Sequence, residues 1–451
     1  MLYYKQIEKQ QINTKERGDN MYIFQQSFIS NCDMLIKCNI FHRTYYNLFK
    51  ALDLSCFPEK TINVGRTGYS RHAMFRAFIV KHREEIKSVP RLIHFLESNP
   101  ALAEMCGFTM GHLPDSSQFY RFLKEIPNSV LQKVHLSINK QLIDKGAVTL
   151  DTFIMDSKPV MAATKENNNK NPGRNIHNKN KKPRRNPQAT LGYYSHCEKS
   201  DGTKTNEYFW GYRTHTIVSI EGIPLVETTL PNNKTDVEVA IILINKLKRL
   251  YKFKKDAIFI GDASYDVRRL YELIVNKMKC QAFIPANQRN TKEPKTLGPH
   301  GAPICDASLE MSYDGLCRDR KNVKLKFRCP LKTHRAVAAE FPDGCPINHF
   351  RFFKGAAYGC TKYIDVTDDA RSRVHRKSKL FKKTVEKRIV VEQYFSRLGD
   401  REVEQTTHYK LRPVKNQMTI AHLSQSLVAL AAVNLNRLDK MRCFRTFAYA
   451  C

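Results

Sequence analysis

Two short apolar runs, Phe153-Ile154-Met155 and Ile258-Phe259-Ile260, each followed at once or after one glycine by an aspartate, constrain this chain more than any other feature. Runs of this length without polar alternation predict strands buried on both faces, in the middle of a sheet covered by helices. Asp156 and Asp262 then stand where two central strands emerge, the end at which open α/β sheets place ligands and chemistry. Taken singly, each aspartate reads equally well as a turn or helix cap. A third acid makes the coincidence more demanding. Leu380 to Asp400 has the spacing of one amphipathic helix that buries Val391, Tyr394, Phe395 and Leu398. On its polar face Arg388 and Glu392 stand four apart and point the same way, in a segment otherwise crowded with Lys and Arg. Alone, that pair would be an ordinary surface ion pair.

Three clustered carboxylates can hold two divalent cations roughly 3.5 to 4 Å apart, suited to attack on a phosphodiester. Oxygen-only ligands favour Mg²⁺ or Mn²⁺ over zinc. The order Asp156, Asp262, Glu392, in strand, strand and helix context, resembles that of the DDE transposases, which implies a ribonuclease-H-like α/β catalytic domain: a mixed sheet flanked by helices. About 130 positions separate Asp262 from Glu392, so an inserted module lies between them. That arrangement resembles the insertion-sequence-four group of bacterial transposases, which carry a β-rich insertion there and a Tyr, Arg, Glu, Lys signature on the last helix. Arg388 and Glu392 fit the signature, while Val385 stands at its Tyr position and Gly399 at its Lys position.

The resemblance implies an enzyme that binds the ends of its mobile element, frees a 3′-hydroxyl with water and joins it to target DNA. Its metal ligands and catalytic residues would be Asp156, Asp262 and Glu392, with two Mg²⁺ or Mn²⁺ ions. Its partner would be double-stranded DNA, both element ends and target, with a homodimer or larger assembly on that DNA. A nuclease of the same fold without strand transfer, or a decayed copy that only binds DNA, are the alternatives. Candidate DNA-phosphate contacts are Arg388, Lys158, Arg397 and Arg401, with Lys181, Lys182, Arg184 and Arg185 of a basic run.

The remaining chain divides around these motifs. Residues 1–60 are of mixed polarity and suggest an N-terminal arm. Residues 61–147 predict a helical DNA-binding domain, with helices in RHAMFRAFIVKHREEI, VPRLIHFLESNP (broken at Pro100), PDSSQFYRFLKEI (capped near Asp115) and LQKVHLSINKQLIDKG, stopped at Gly146. Arg71, Arg76, Lys81, Arg83, Arg121 and Lys124 are expected on its polar sides, where a helix could enter a major groove. These helices also resemble the N-terminal domain of the same transposases. Residues 148–290 form the first part of the catalytic core. Within it 165–187 is a basic loop too polar to order itself, 208–231 a hairpin around Glu221 and Gly222, and 237–253 a crossover helix. His215 reads as a structural residue inside a strand, and Asp266 as the N-cap of a helix. Residues 291–376 are a β-rich, Cys-containing insertion in which NVKLKFRCP and HFRFFKG favour strands. Residues 377–437 complete the core with the Glu-bearing helix and an almost wholly apolar helix over 418–436, and 438–451 form a tail.

A net charge of +32 and a pI near 9.7 point to a polyanionic partner. With no apolar run of about 18 residues and no signal peptide, the expected setting is cytoplasmic and chromosome-associated. Thirteen cysteines without CxxC spacing argue against a secreted disulfide framework. Cys305, Cys317, Cys329, Cys345 and Cys360 fall in the insertion with His334 and His349. Their long intervals lack a zinc-finger rhythm, so buried free thiols are expected, with a structural zinc as the alternative.

Overall fold

A computed structural model describes residues 32–59, 68–109, 111–168, 182–197, 204–287, 297–319, 322–353, 359–365, 374–399 and 401–443. The N-terminal part is helical: α1 (Cys32–Cys38), α2 (Ile40–Lys50), α3 (Arg71–Arg83), α4 (Val89–Glu97), α5 (Pro100–Cys106), α6 (Ser116–Glu125) and α7 (Asn128–Asp144). Ser70 and Asp115 cap α3 and α6 through their side chains, and Gly146, at φ +69°, follows α7 in the left-handed conformation. Two expectations change here. Residues 32–50 are helical and not an arm, because α2 presents an aromatic face whose Tyr45 and Leu48 are fully buried. Pro100 does not only break a helix. It opens the next one, at a first-turn position where a missing N–H costs nothing.

The sheet is built from β1 (Thr152–Met161), β2 (Thr190–Cys197), β3 (Lys204–Ser219), β4 (Pro224–Pro231), β5 (Ile258–Ile260) and β6 (Gln281–Phe283), with α8 (Asp236–Leu250) crossing from β4 to β5. Its order is β2-β3-β1-β5-β6, with β4 also paired to β3. Strand β3 pairs antiparallel with both β1 and β4, while β5 runs parallel to β1 and β6 parallel to β5. This is the expected ribonuclease-H-like mixed sheet. The hairpin turns at Gly222, φ +77°, and α8 starts with a reciprocal capping box between Thr235 and Glu238. Strand β2 was not foreseen. TLGYYSHC lacks a clean apolar alternation, and it is a strand because the long β3 extends past β1 and β4 and pairs with it.

The insertion holds a three-stranded antiparallel sheet of β7 (Ser312–Asp319), β8 (Asn322–Arg328) and β9 (Thr361–Asp365). NVKLKFR is a strand as expected, whereas FRFF is one helical turn, with the His349 side chain accepting the Arg351 N–H and with Phe350 and Phe353 exposed. After it come α9 (Lys379–Glu386), α10 (Ile389–Arg397) and α11 (Leu411–Asn434).

Helix α11 is buried along almost its whole length and joins the N-terminal helices to the sheet. Because it has no solvent face, its polar side chains need protein partners. Asn416 donates to the carbonyls of Leu123 and Ile126, Thr419 Oγ1 accepts from Asn128, and Ser426 meets His135. Toward the sheet, Thr419 donates at 2.7 Å to the fully buried Glu227 of β4, which also accepts from Gln132 of α7. Lys246 of α8 closes this network on the Gln132 side-chain oxygen and the Glu227 carbonyl.

The same enclosure overturns the expected basic surface on α3. Lys81 and Arg83 are buried, and Arg76 donates to the Cys106 carbonyl beside the Phe49 ring. Burial pulls the Lys81 ammonium down to about 7. Arg121 and Lys124 of α6 are exposed as expected. Replacing Glu227 with Ala removes the acceptor at the centre of four elements and is expected to cost about 3 kcal/mol in urea denaturation. Lys234→Ala, at an exposed turn, is expected to stay within about 0.5 kcal/mol of the parent.

Candidate active site

The register of two parallel strands sets the site. Thr152, Phe153 and Ile154 of β1 pair with Ile258, Phe259 and Ile260 of β5, so Asp156 and Asp262 are each two residues beyond the same rung. Strand β5 stops at Ile260, while β1 continues to Met161. Asp156 is therefore not at a strand end, as expected, but in mid-strand at the point where its parallel neighbour ends. The two aspartates line one open pocket together with Ser157, Tyr193, Tyr208, Arg213 and Asp236.

Each carboxylate is held without being used up. Asp156 Oδ1 accepts the Ser157 N–H at 2.8 Å, and its Oδ2 lies 3.9 Å from Arg388 Nη1. Asp262 caps a short turn by accepting both the N–H and the hydroxyl of Ser264, and both bonds fall on Oδ1. Arg388 also pairs through Nη2 with Glu392, which is half exposed. One guanidinium thus stands between the first aspartate and the glutamate. Burial pushes the Asp156 carboxyl up to about 7, with the charges of Asp262 and Asp236 adding to the effect and the Ser157 N–H and Arg388 opposing it. Desolvated acids crowded together are short of positive charge, which is the condition of a cation site. Among the described residues no three His, Cys, Asp or Glu side chains stand at metal-binding spacing. Near Asp156 and Glu392 the positive charge comes from Arg388.

The helix that carries Glu392 departs from the single helix expected over 380–400. It is two helices, α9 and α10, joined through Lys387 and Arg388 by backbone bonds to the third residue back. This tightened turn keeps Arg388 and Glu392 on one side. Helix α10 is fixed to the sheet by a buried relay in which Tyr394 meets His422 Nδ1 at 2.5 Å and His422 Nε2 meets Thr214 of β3 at 2.9 Å. Burial holds the His422 imidazole down to about 3, so it is neutral and one nitrogen donates while the other accepts.

The other candidate contacts are distributed unevenly. Lys158, two residues past Asp156, pairs with Glu404 at 2.8 Å and reaches the Phe395 carbonyl. Arg397 is turned to the β3–β4 hairpin, where it donates to the Gly222 carbonyl. Arg401 opens a one-turn helix, but its side chain and all of Lys181 lie outside the described residues. Lys182, Arg184 and Arg185 are exposed.

A family model described as a Transposase DDE domain matches residues 149–427, the greater part of the chain. The chain belongs to the DDE transposases. It is an enzyme that cleaves DNA and transfers its strands. A second model, a Transposase domain (DUF772), matches residues 40–125, starting at the helix α2 that sequence reasoning had assigned to an arm. No curated protein matches the chain. Among solved structures, the Mos1 transposase paired-end complex with left transposon end is 14% identical and pairs 58% of this chain with 74% of that one, at a TM-score of 0.16. A pre-cleavage Mos1 transpososome is 12% identical over 91% and 95% of the two chains, at a TM-score of 0.17. The family rests on the two family models and not on these superpositions.

Sequence reasoning missed Asp236 of this transposase. It opens α8 and accepts from the Ser157 hydroxyl at 2.9 Å and from Arg213, with His215 Nδ1 3.5 Å away. No strand-end pattern marks it, since it follows the cap Thr235. His215 is buried, and burial holds it down to about 4, so its imidazole is neutral. Asp266 is not a helix cap: it pairs with Arg376 at 2.7 Å. Gly399 explains the departure from the signature. It has φ +106° immediately after α10, so the Lys position is a left-handed stop and not a helical position. Nothing lies within 4 Å of a Cβ added there, so the cost of a side chain is purely conformational. Gly399→Lys is expected to lower stability by about 1 kcal/mol in thermal unfolding and to leave strand transfer no faster.

Proposed function

We propose that Asp156, Asp262 and Glu392 are the metal ligands of this transposase and hold two Mg²⁺ or Mn²⁺ ions. Bound there, such ions would activate an attacking oxygen and stabilise a leaving oxygen at a phosphodiester. The observation that carries this reading is the shared rung of Asp156 and Asp262, with Arg388 linking Asp156 to Glu392. All three ligands are carboxylates, a donor set that fits hard cations.

The rest of the site serves DNA. Arg388 is the counter-charge of the acids and would turn to a phosphate once they are neutralised otherwise. Lys158, with the exposed Lys182, Arg184 and Arg185 and with Lys181 and Arg401, would hold backbone phosphates, and Arg397 would hold the hairpin beside them. Tyr193 and Tyr208 of the β2–β3 hairpin line the same pocket and offer faces for an unpaired base. The N-terminal helices would bind the element's ends through exposed residues such as Arg121 and Lys124. The chain would fall in the insertion-sequence-four group, with residues 61–147 as its end-binding domain, residues 291–376 as its insertion and a homodimer or larger assembly formed on DNA.

Labelled element ends incubated with Mg²⁺ test the reading. Joined products are expected from the parent protein; nicks alone would indicate a nuclease, and a salt-sensitive gel shift without cleavage a DNA-binding protein. Asp156→Asn, Asp262→Asn and Glu392→Gln are each expected to lower cleavage by at least about 10³-fold while retaining the gel shift. Full cleavage by Asp156→Asn would refute the metal assignment.

A further inference from the structure

Four cysteines far apart in sequence come together in the insertion. Cys305, Cys329, Cys345 and Cys360 line one small cavity, with His349 beside them. Their sulfurs are free thiols, and the His349 Nδ1 lies 3.3 Å from Cys360 Sγ. Cys305, Cys329 and Cys345 each open a turn closed by an N–H three residues on, from Ser308, Lys332 and Asn348.

Among the described residues, the buried apolar clusters of the insertion are small: Ala302, Met311, Leu325 and Phe327, with Tyr313, Val323 and Ile364 partly buried against them, and Cys329, Leu331 and Cys345, with Leu309, Val337, Phe341 and Phe352 partly buried against them. Cores this small seldom stabilise a module without a covalent or metal staple. Two of the three buried residues of the second cluster are cysteines.

We propose that Cys305, Cys329, Cys345 and Cys360 form a structural zinc site that holds the insertion together. Four thiolates are a donor set that favours tetrahedral zinc over the Mg²⁺ or Mn²⁺ of a carboxylate site. As placed, no three of these side chains stand at ligand spacing. Closure requires them to turn inward on the cavity they already line. Cys317, on β7, is not part of that cavity and is not a ligand.

The test uses the full chain purified under reducing conditions without added metal. Elemental analysis is expected to find about one zinc per chain, and Co²⁺ exchanged into the same protein should give the near-ultraviolet charge-transfer band of thiolate ligation. Cys329→Ser and Cys360→Ser should each lose the metal, whereas Cys317→Ser and Asp156→Asn should keep it. Zinc well below one per chain, with four thiols of the folded protein freely titratable or joined as disulfides, would overturn the proposal. So would a cobalt spectrum without thiolate bands, or zinc that survives both ligand substitutions.

Discussion

A helix with no face to water organises this molecule. Helix α11 lies between the N-terminal helices and the sheet, and its sequence answers two demands at once: small and aliphatic residues for close packing, and Asn, Gln, Thr, His and Ser at positions where a partner waits. An unpaired buried polar group costs about as much as several apolar contacts contribute, so each of these side chains fixes a geometry. Asn416 sets the α6–α7 corner, Thr419 sets Glu227 on β4, and His422 sets α10 against β3. The helical part and the catalytic sheet consequently share one continuous apolar core.

That packing also constrains where three acids from distant sequence stand. Two of them need only strand register, because a parallel pair in phase brings the residues just beyond the last rung out at the same end of the sheet. The third has to be delivered by a helix, and helices do not share a lattice with a sheet. The Tyr394–His422–Thr214 relay supplies the missing constraint, since it fixes α10 two residues from Glu392. Arg388 then holds the glutamate near Asp156 by charge and not by packing, so the Glu392 side chain, half exposed, is the freest of the three acids to adjust.

Much of this was legible in the sequence, for reasons that also explain the failures. The strands at 153–155 and 258–260 were visible because burial on both faces leaves a run with no polar interruption. Glu392 stood out as an acid among bases. Asp236 was invisible: its importance comes from β3 bringing Arg213 and His215 against the start of α8, which is tertiary information. Lys81 and Arg83 misled, because basic residues on a helix suggest a polar face, and only tertiary packing encloses them, with Arg83 over the Tyr45 ring of α2. The cysteines failed to declare themselves for a related reason. Spacing rules describe ligands delivered by one or two local loops, whereas here three separate turns and the residue before β9 each bring one cysteine to the cavity.

The junction between core and insertion follows from one residue that was expected to do something simpler. Asp266 lies four positions past Asp262 and is nearly buried, and it accepts at one oxygen from the Asn287 backbone N–H and at the other from Arg376. Asn287 leads into the insertion and Arg376 leads out of it, so a single carboxylate ties both strands of the neck. Arg376 extends the tie by donating to the Ile284 carbonyl and to the Tyr271 hydroxyl. A neck joined only by two peptide links would let the insertion swing. Charge-assisted bonds at low exposure resist that motion far better than a surface pair does, because either partner left alone would be a buried charge. The insertion is therefore oriented from the segment that carries Asp262, and any force on its strands reaches that segment through the neck.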